Sequence, residues 1–392
     1  ITHLDEVLEA IQGRDEFVVR VNDEHDYTIV NYAVNFEDTF PPVTDRRTAL
    51  LRECRGITFR TSTGEVLSRK YHKFFNLGER AETLPGNWDW SVPYREFEKL
   101  DGSMITPLLV EGEVRWCTKM GLTDVAKPVD LHTRDLPGYH AFAKELMDLG
   151  KTPIFEWCSR QQRIVIDYQE DQLVLTAIRD NRTGIYSSYE DMVALAGEHG
   201  VLVCKAGPVI TGFNEAAVQA IREQEGREGD VWRREDGHMQ KLKGEHYVLI
   251  HKTLDHLNWE KDVIRLILDE KLDDAKPFLP EDLVAKADQF AKSIFDGLRQ
   301  RASDLYWEVQ ADFDNMNGGK KKFAEKVTQN KRPDSRFLFW TWDHLDTGEE
   351  GVMAALIKAV GDGLGSQSKV DANRWLWGGT SWSDYRKSAA EE

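Results

Sequence analysis

The chain has 392 residues, 41% of them hydrophobic and 30% charged, with a formal net charge of −17. That length predicts two or three domains, and the composition is that of a soluble globular protein. No apolar run approaches the roughly 18 residues of a membrane span, and an acidic surface argues against nonspecific nucleic-acid binding while leaving room for a local basic site.

Residues 1–250 read as mixed α and β. Glu16 to Val34 alternates as a strand pair, and Arg55-Gly56-Ile57-Thr58-Phe59 with Val66 to Ser68 reads as a hairpin. Asp130 to Gly150 reads as a helix stopped by Gly150. Strand-like runs follow at Ile154–Trp157, Ile164–Tyr168 and Leu173–Arg179, then helices from Tyr189 and from Asn214. Val231 to Lys243 predicts a hairpin turning at Glu235-Asp236-Gly237. After about residue 250 strand patterns stop, and Leu254–Leu272, Glu281–Val309 and Glu350–Val360 have helical spacing. The expected fold is α+β: an N-terminal domain (1–250) of antiparallel sheets with flanking helices, then an all-helical domain (251–392). Cys54, Cys117, Cys158 and Cys204 form no CxxC pair, which fits free thiols in a reducing cytoplasm and argues against zinc. No signal-peptide pattern is visible from Ile1 onward, so a cytoplasmic protein is expected, in the host cell if a phage encodes it.

The chemistry-bearing residues begin with Lys99-Leu100-Asp101-Gly102-Ser103, a lysine two residues before an Asp-Gly turn. An amine held there is a candidate nucleophile toward phosphorus, once neighbouring cations or desolvation favour its neutral form. Arg55, Lys73 and Lys119 sit where a strand-rich domain usually places apolar residues. Glu156 lies between Phe155 and Trp157 and so points away from both. Lys241 and Lys243 are two apart and share one strand face, with Glu228 opposite or diagonal to Lys243 if the hairpin turns where expected. Two ammonium groups and a carboxylate on one face suit a phosphate and a metal ion, although the same set also suits a surface salt-bridge ladder.

Taken in order, these segments resemble the covalent nucleotidyltransferases: DNA ligases, RNA ligases and capping enzymes. Lys99 to Ser103 resembles their motif I, Phe155-Glu156-Trp157 motif IIIa, Glu228-Gly229-Asp230-Val231 motif IV, and Lys241-Leu242-Lys243 motif V. Arg55 to Phe59, Lys73-Phe74-Phe75-Asn76 and Gln162-Arg163-Ile164-Val165-Ile166 narrow the resemblance, over about residues 30–250, to the RNA ligases of T-even bacteriophages, RNA ligase family 1. The resemblance implies an ATP-dependent ligase that joins 5′-phosphate and 3′-hydroxyl RNA ends. Lys99 would carry AMP as a phosphoramidate, AMP would pass to the RNA 5′-phosphate, and the 3′-hydroxyl would then displace it. It implies Arg55, Lys73, Lys119, Lys241, Lys243 and Tyr247 as nucleotide contacts and Glu156 as acceptor for the ribose hydroxyl. Glu228 would hold Mg²⁺, or Mn²⁺ in its place, with Asp273 and Asp274 as weaker candidates.

The helical texture after residue 250 is unlike the OB-fold of DNA ligases and capping enzymes, which favours an RNA ligase. The family's helical domain implies recognition of a broken tRNA anticodon loop and a repair role, with the protein a monomer away from membranes. Lys320, Lys321, Lys322, Lys331 and Arg332, followed by Phe337, Phe339, Trp340 and Trp342, are the candidate RNA contacts. Trp375, Trp377 and Trp382 read as packing anchors. A DNA ligase, a GTP-using capping enzyme and an RNA-binding protein without catalysis are the alternatives.

Overall fold

A computed structural model describes residues 1–36, 38–317 and 319–386. The chain divides into two compact units, residues 1–248 and 249–392. The first holds thirteen strands among its described residues: β1 Phe17–Asn22, β2 Tyr27–Tyr32, β3 Arg55–Arg60, β4 Val66–Ser68, β5 Phe75–Asn76, β6 Tyr94–Lys99, β7 Ser103–Val110, β8 Glu113–Cys117, β9 Lys151–Cys158, β10 Gln172–Asp180, β11 Ala206–Ile210, β12 Gly229–Arg234 and β13 Met239–Lys243. They form three sheets, ordered β1-β2-β3-β4, β10-β9-β7-β8 and β11-β6-β12-β13-β5. The pairings are antiparallel apart from the two-residue parallel pair of β13 with β5. An α+β fold with antiparallel sheets and a helical C-terminal region is therefore what the structure shows.

Alternation explains the sheets. In β9, Phe155 and Trp157 are fully buried with Trp116, Phe142 and Leu175, while Glu156 between them stays out of that core. Helix Tyr189–His199 is capped by Ser188 and ends at Gly200 in the left-handed region, and helix Glu215–Glu223 is capped by Asn214. Two expectations change. The helix read from Asp130 to Gly150 is two helices, Lys127–Thr133 and Pro137–Asp148, because Pro137 lacks an N–H and starts the second at its first position. The Ile164–Tyr168 run is not a strand: residues 159–171 form an irregular loop. All four cysteines are buried free thiols.

The second unit is helical and has its own core, centred on helix Glu281–Asn315, whose Phe290, Ile294, Leu298, Leu305 and Val309 repeat at helical spacing. The Leu254–Leu272 pattern resolves into the end of helix Glu245–Leu257, helix Glu260–Leu268 and the start of helix Leu272–Ala275. Among the described residues no helix is long and apolar enough to cross a membrane.

Candidate active site

Lys99 is the last residue of β6, and Ser103 opens β7, so Leu100-Asp101-Gly102 is the connection between two sheets. Gly102 is required by close approach: a Cβ there would lie 2.2 Å from the Trp157 carbonyl oxygen and 3.2 Å from the Cγ of Glu156. The missing side chain thus lets β7 lie against β9 and brings Glu156 beside the Lys99 loop. Asp101 is buried and serves as a hub. Its carboxylate accepts hydrogen bonds from Tyr247 Oη (2.6 Å), Val165 N (2.8 Å) and Ile166 N (2.7 Å), and its own N–H donates to Tyr168 Oη (2.9 Å). This is why the Ile164–Tyr168 run leaves the β conformation: two of its amides are spent on Asp101.

Register assembles the charged face. Lys99, Gly229 and Lys243 are in line across β6, β12 and β13, and Phe97, Val231 and Lys241 form the next row on the same face. Gly229 contributes no side chain between the two lysines of its row. Glu228, just before β12 and 4% exposed, takes both: Lys99 Nζ is 2.7 Å from Oε2 and Lys243 Nζ is 2.9 Å from Oε1. Lys243 Nζ also lies 5.1 Å from the centre of the Tyr247 ring. Lys241 forms no ion pair among the described residues. Burial, with the charges of Lys99, Lys243, Lys73 and Arg55, pushes its ammonium down to about 7. Burial pushes the Glu156 carboxyl up to about 7, against the pull of Lys99.

A second group of cations meets at Tyr32, the last residue of β2. Lys73 Nζ and Lys119 Nζ lie 4.9 and 4.8 Å from its ring centre. Burial alone would raise the Tyr32 phenol, but Lys73, Arg55 and Lys119 together draw it below its ordinary value. Arg55 reaches this place because Gly56, at φ +83°, lets β3 pass Lys119, whose carbonyl oxygen would be 2.6 Å from a Cβ. The ammonium of Lys70, buried below, donates to the Gly56 carbonyl oxygen at 2.6 Å and to Thr58 Oγ1 at 3.1 Å. Arg55, Lys73, Lys119 and Lys241 thus converge with no carboxylate partner among the described residues, an arrangement that calls for a polyanion. Arg55, Lys99, Lys119, Glu156 and Lys241 line a cleft of about 520 Å³, with Val231, Thr176 and Met104 among its less polar walls.

Glu228 holds Lys99 and Lys243, so both its oxygens already carry an ammonium. No group of three metal-ligating side chains occurs among the described residues. This donor set does not fit an all-protein cage. It fits Mg²⁺ held largely by substrate phosphates and water, with Glu228 reached directly or through water. Asp273 and Asp274 belong to the second unit, on helix Leu272–Ala275, where both are exposed and Asp273 pairs with Lys276 at 2.5 Å.

In the second unit Lys320 pairs with Asp343, Lys326 with Asp312, and Arg332 with Glu308 (2.6 Å) and Asp334 (2.7 Å). Lys321, Lys322 and Lys331 are exposed. The aromatics that follow are not free stacking platforms. Helix Ser335–Asp343 turns Phe337 and Trp342 into the core, and Phe339 and Trp340 pack against it. Trp377 and Trp382 are buried anchors, and Trp375 packs beside them.

The RNA ligase family model matches residues 53–249, half of the chain and all of the segment that carries these residues except Tyr32 and the helical unit. A Thermovibrio ammonificans protein that bears an RNA ligase name is 35% identical over 359 residues, covering 87% of this chain and 90% of its own length. The chain belongs to the RNA ligase family. RNA ligase 1 of bacteriophage TS2126 is 30% identical to this RNA ligase over 154 residues, 34% of this chain and 36% of the phage protein. A protein of Autographa californica nuclear polyhedrosis virus, named for polynucleotide kinase and RNA ligase functions, is 26% identical over 68% of this chain and 40% of its own. The chain thus spans less than half of these two viral relatives. Among solved structures, an archaeal ATP-dependent RNA ligase aligns with a TM-score of 0.47 at 14% identity over 73% of this chain and 74% of that one.

Sequence reasoning missed three parts of the site. Asp101 read as part of an Asp-Gly turn, Tyr32 lay in the expected Glu16–Val34 strand pair with no role of its own, and Lys70 carried no motif. Each acts through partners between 12 and 146 positions away in the chain, a separation that local pattern cannot bridge.

Proposed function

We propose that this RNA ligase is ATP-dependent and works through lysyl-AMP on Lys99. The observation that carries the reading is the alignment of Lys99 with Lys243 and Lys241 on one sheet face, beside cations that lack carboxylate partners. Lys99 Nζ attacks the α-phosphorus, the bond to the β-phosphate oxygen breaks, and pyrophosphate leaves. The amine must first lose a proton and part from Glu228. Lys241 and Lys243 stabilise charge on the α-phosphate, and Arg55, Lys73 and Lys119 hold the departing phosphates. Glu156 faces the ribose hydroxyls, and Tyr247 acts by holding Asp101. Bound Mg²⁺ or Mn²⁺ would neutralise phosphate charge, held by Glu228 and water.

The RNA 5′-phosphate then takes AMP from Lys99, and a 3′-hydroxyl displaces the AMP to seal the strand. The helical unit supports a role in selecting structured RNA, through Lys321, Lys322 and Lys331 with Lys320 and Arg332 at their sides. We place its substrate among broken tRNA anticodon loops and the protein, as a monomer, in the cytoplasm of the cell where such damage occurs. Sealing assays on single-stranded RNA, a nicked tRNA stem-loop and nicked duplex DNA, each with ATP or GTP, test the reading. RNA sealing with ATP alone is expected. Preference for nicked DNA, or for GTP, contradicts it.

A further inference from the structure

A second and larger cleft, about 1050 Å³, opens in the first unit. It shares Phe74, Phe97, Arg233 and Met239 with the cleft around Lys99, and Lys73 is among its lining residues. Most of its cations are already neutralised: Arg52 by Glu82, Arg95 by Glu190, Arg234 by Asp236. Lys73 and Arg233 are different. Neither forms an ion pair among the described residues, and Arg233, 8% exposed as a residue, sets its guanidinium 4.3 Å from the centre of the Phe97 ring and 5.5 Å from that of Tyr186. The cleft therefore keeps two cations without an ion-pair partner among the described residues, beside hydroxyl and aromatic side chains.

Stereochemistry says which strand would use it. Two displacements occur in turn at the same phosphorus. In the first, Lys99 enters and pyrophosphate leaves on the opposite side. In the second, the P–N bond to Lys99 breaks, its electron pair returns to the amine, and an oxygen of the RNA 5′-phosphate bonds to phosphorus. In-line attack makes that oxygen enter opposite Lys99, where pyrophosphate left. On that reading the place is beside Arg55, Lys73 and Lys119, and Lys73 also lines the second cleft. We propose that this cleft holds the first nucleotides of the strand bearing the 5′-phosphate, as single-stranded RNA, with Lys73 and Arg233 as its phosphate anchors. This inference rests on the lysyl-AMP reading and adds the path of one of the two RNA ends.

Ser187 and His238 line only this cleft, and His238 is exposed. The test is the S187E/H238E variant of the full chain, assayed for self-adenylylation and for AMP transfer to 5′-phosphorylated oligoadenylates of two and of about ten nucleotides, the longer within the span of single-strand sites. Self-adenylylation should be unchanged, and the KM for the longer RNA should rise about tenfold at low salt while that for the dinucleotide stays the same. An equal effect on both lengths, or an effect on the 3′-hydroxyl strand alone, overturns the proposal. A second measurement does not depend on the variant's folding. In the wild type, 4-thiouridine at the fourth nucleotide from the 5′-phosphate should cross-link to peptides containing Tyr186 or His238, and cross-links confined elsewhere overturn the proposal. A wild type that never takes AMP overturns the lysyl-AMP reading itself. One that seals RNA while failing these tests overturns only the assigned path.

Discussion

Lys241 shows how one side chain can be set to respond to an anion. Its ammonium is buried among Lys99, Lys243, Lys73 and Arg55 and is pushed down to about 7, against about 10.4 when free. An anionic phosphate in the cleft would restore the proton. Nucleotide binding at pH 8 should therefore take up protons, and affinity should fall as pH rises from 7 to 9. Calorimetry in two buffers of different ionisation enthalpy measures the uptake. Lys241→Met should abolish it, and an uptake unchanged in that variant contradicts the assignment. Glu156, raised to about 7 by burial, titrates over the same range, so Glu156→Gln is the control and should keep the uptake. Stability gives an independent sign. Between pH 7 and about 10.4 the unfolded chain holds a proton on Lys241 that the folded chain has lost, so the cost of this lysine is full below 7 and fades above it. Lys241→Met should raise Tm at pH 6 more than at pH 9.

At the scale of elements, the site is a matter of register. Gly102→Ala would set a Cβ 2.2 Å from the Trp157 carbonyl oxygen, so β7 and β9 must separate where Glu156 meets the Lys99 loop. The expected cost is about 1–3 kcal/mol of folding stability, as for other overpacked positions, with a fall in self-adenylylation beyond what the unfolded fraction explains. Denaturant melts and single-turnover labelling measure the two, and wild-type values for both would show that the approach is not needed. Register also explains what was legible beforehand. Lys241 and Lys243 share a face, and Glu156 leaves its core, because strands have a period of two, which one stretch of sequence displays. The Ile164–Tyr168 run has the same β-rich look, yet its amides are drawn to Asp101, 64 and 65 positions earlier. Phe337 to Trp342 likewise read as stacking rings beside a basic stretch. Helical spacing sends Phe337 and Trp342 inward, and tertiary packing decides it, against helix Glu281–Asn315 and against Trp375 for Phe337 and Phe323 for Trp342.

The whole molecule has two units, each with its own core. The lysines, Glu156 and Glu228 all lie in the first. A chain ended at Asn258, which keeps helix Glu245–Leu257, should retain self-adenylylation while losing its preference for a nicked tRNA stem-loop over single-stranded RNA. Equal loss of both activities would make the second unit part of the adenylylation machinery. The central claim, that Lys99 carries AMP, is met most directly by incubating the full chain with α-labelled ATP and Mg²⁺ and resolving it on a denaturing gel. The account predicts an acid-labile label on the wild-type protein that is absent from Lys99→Ala. An unlabelled wild type, or a Lys99→Ala variant labelled equally, would contradict it.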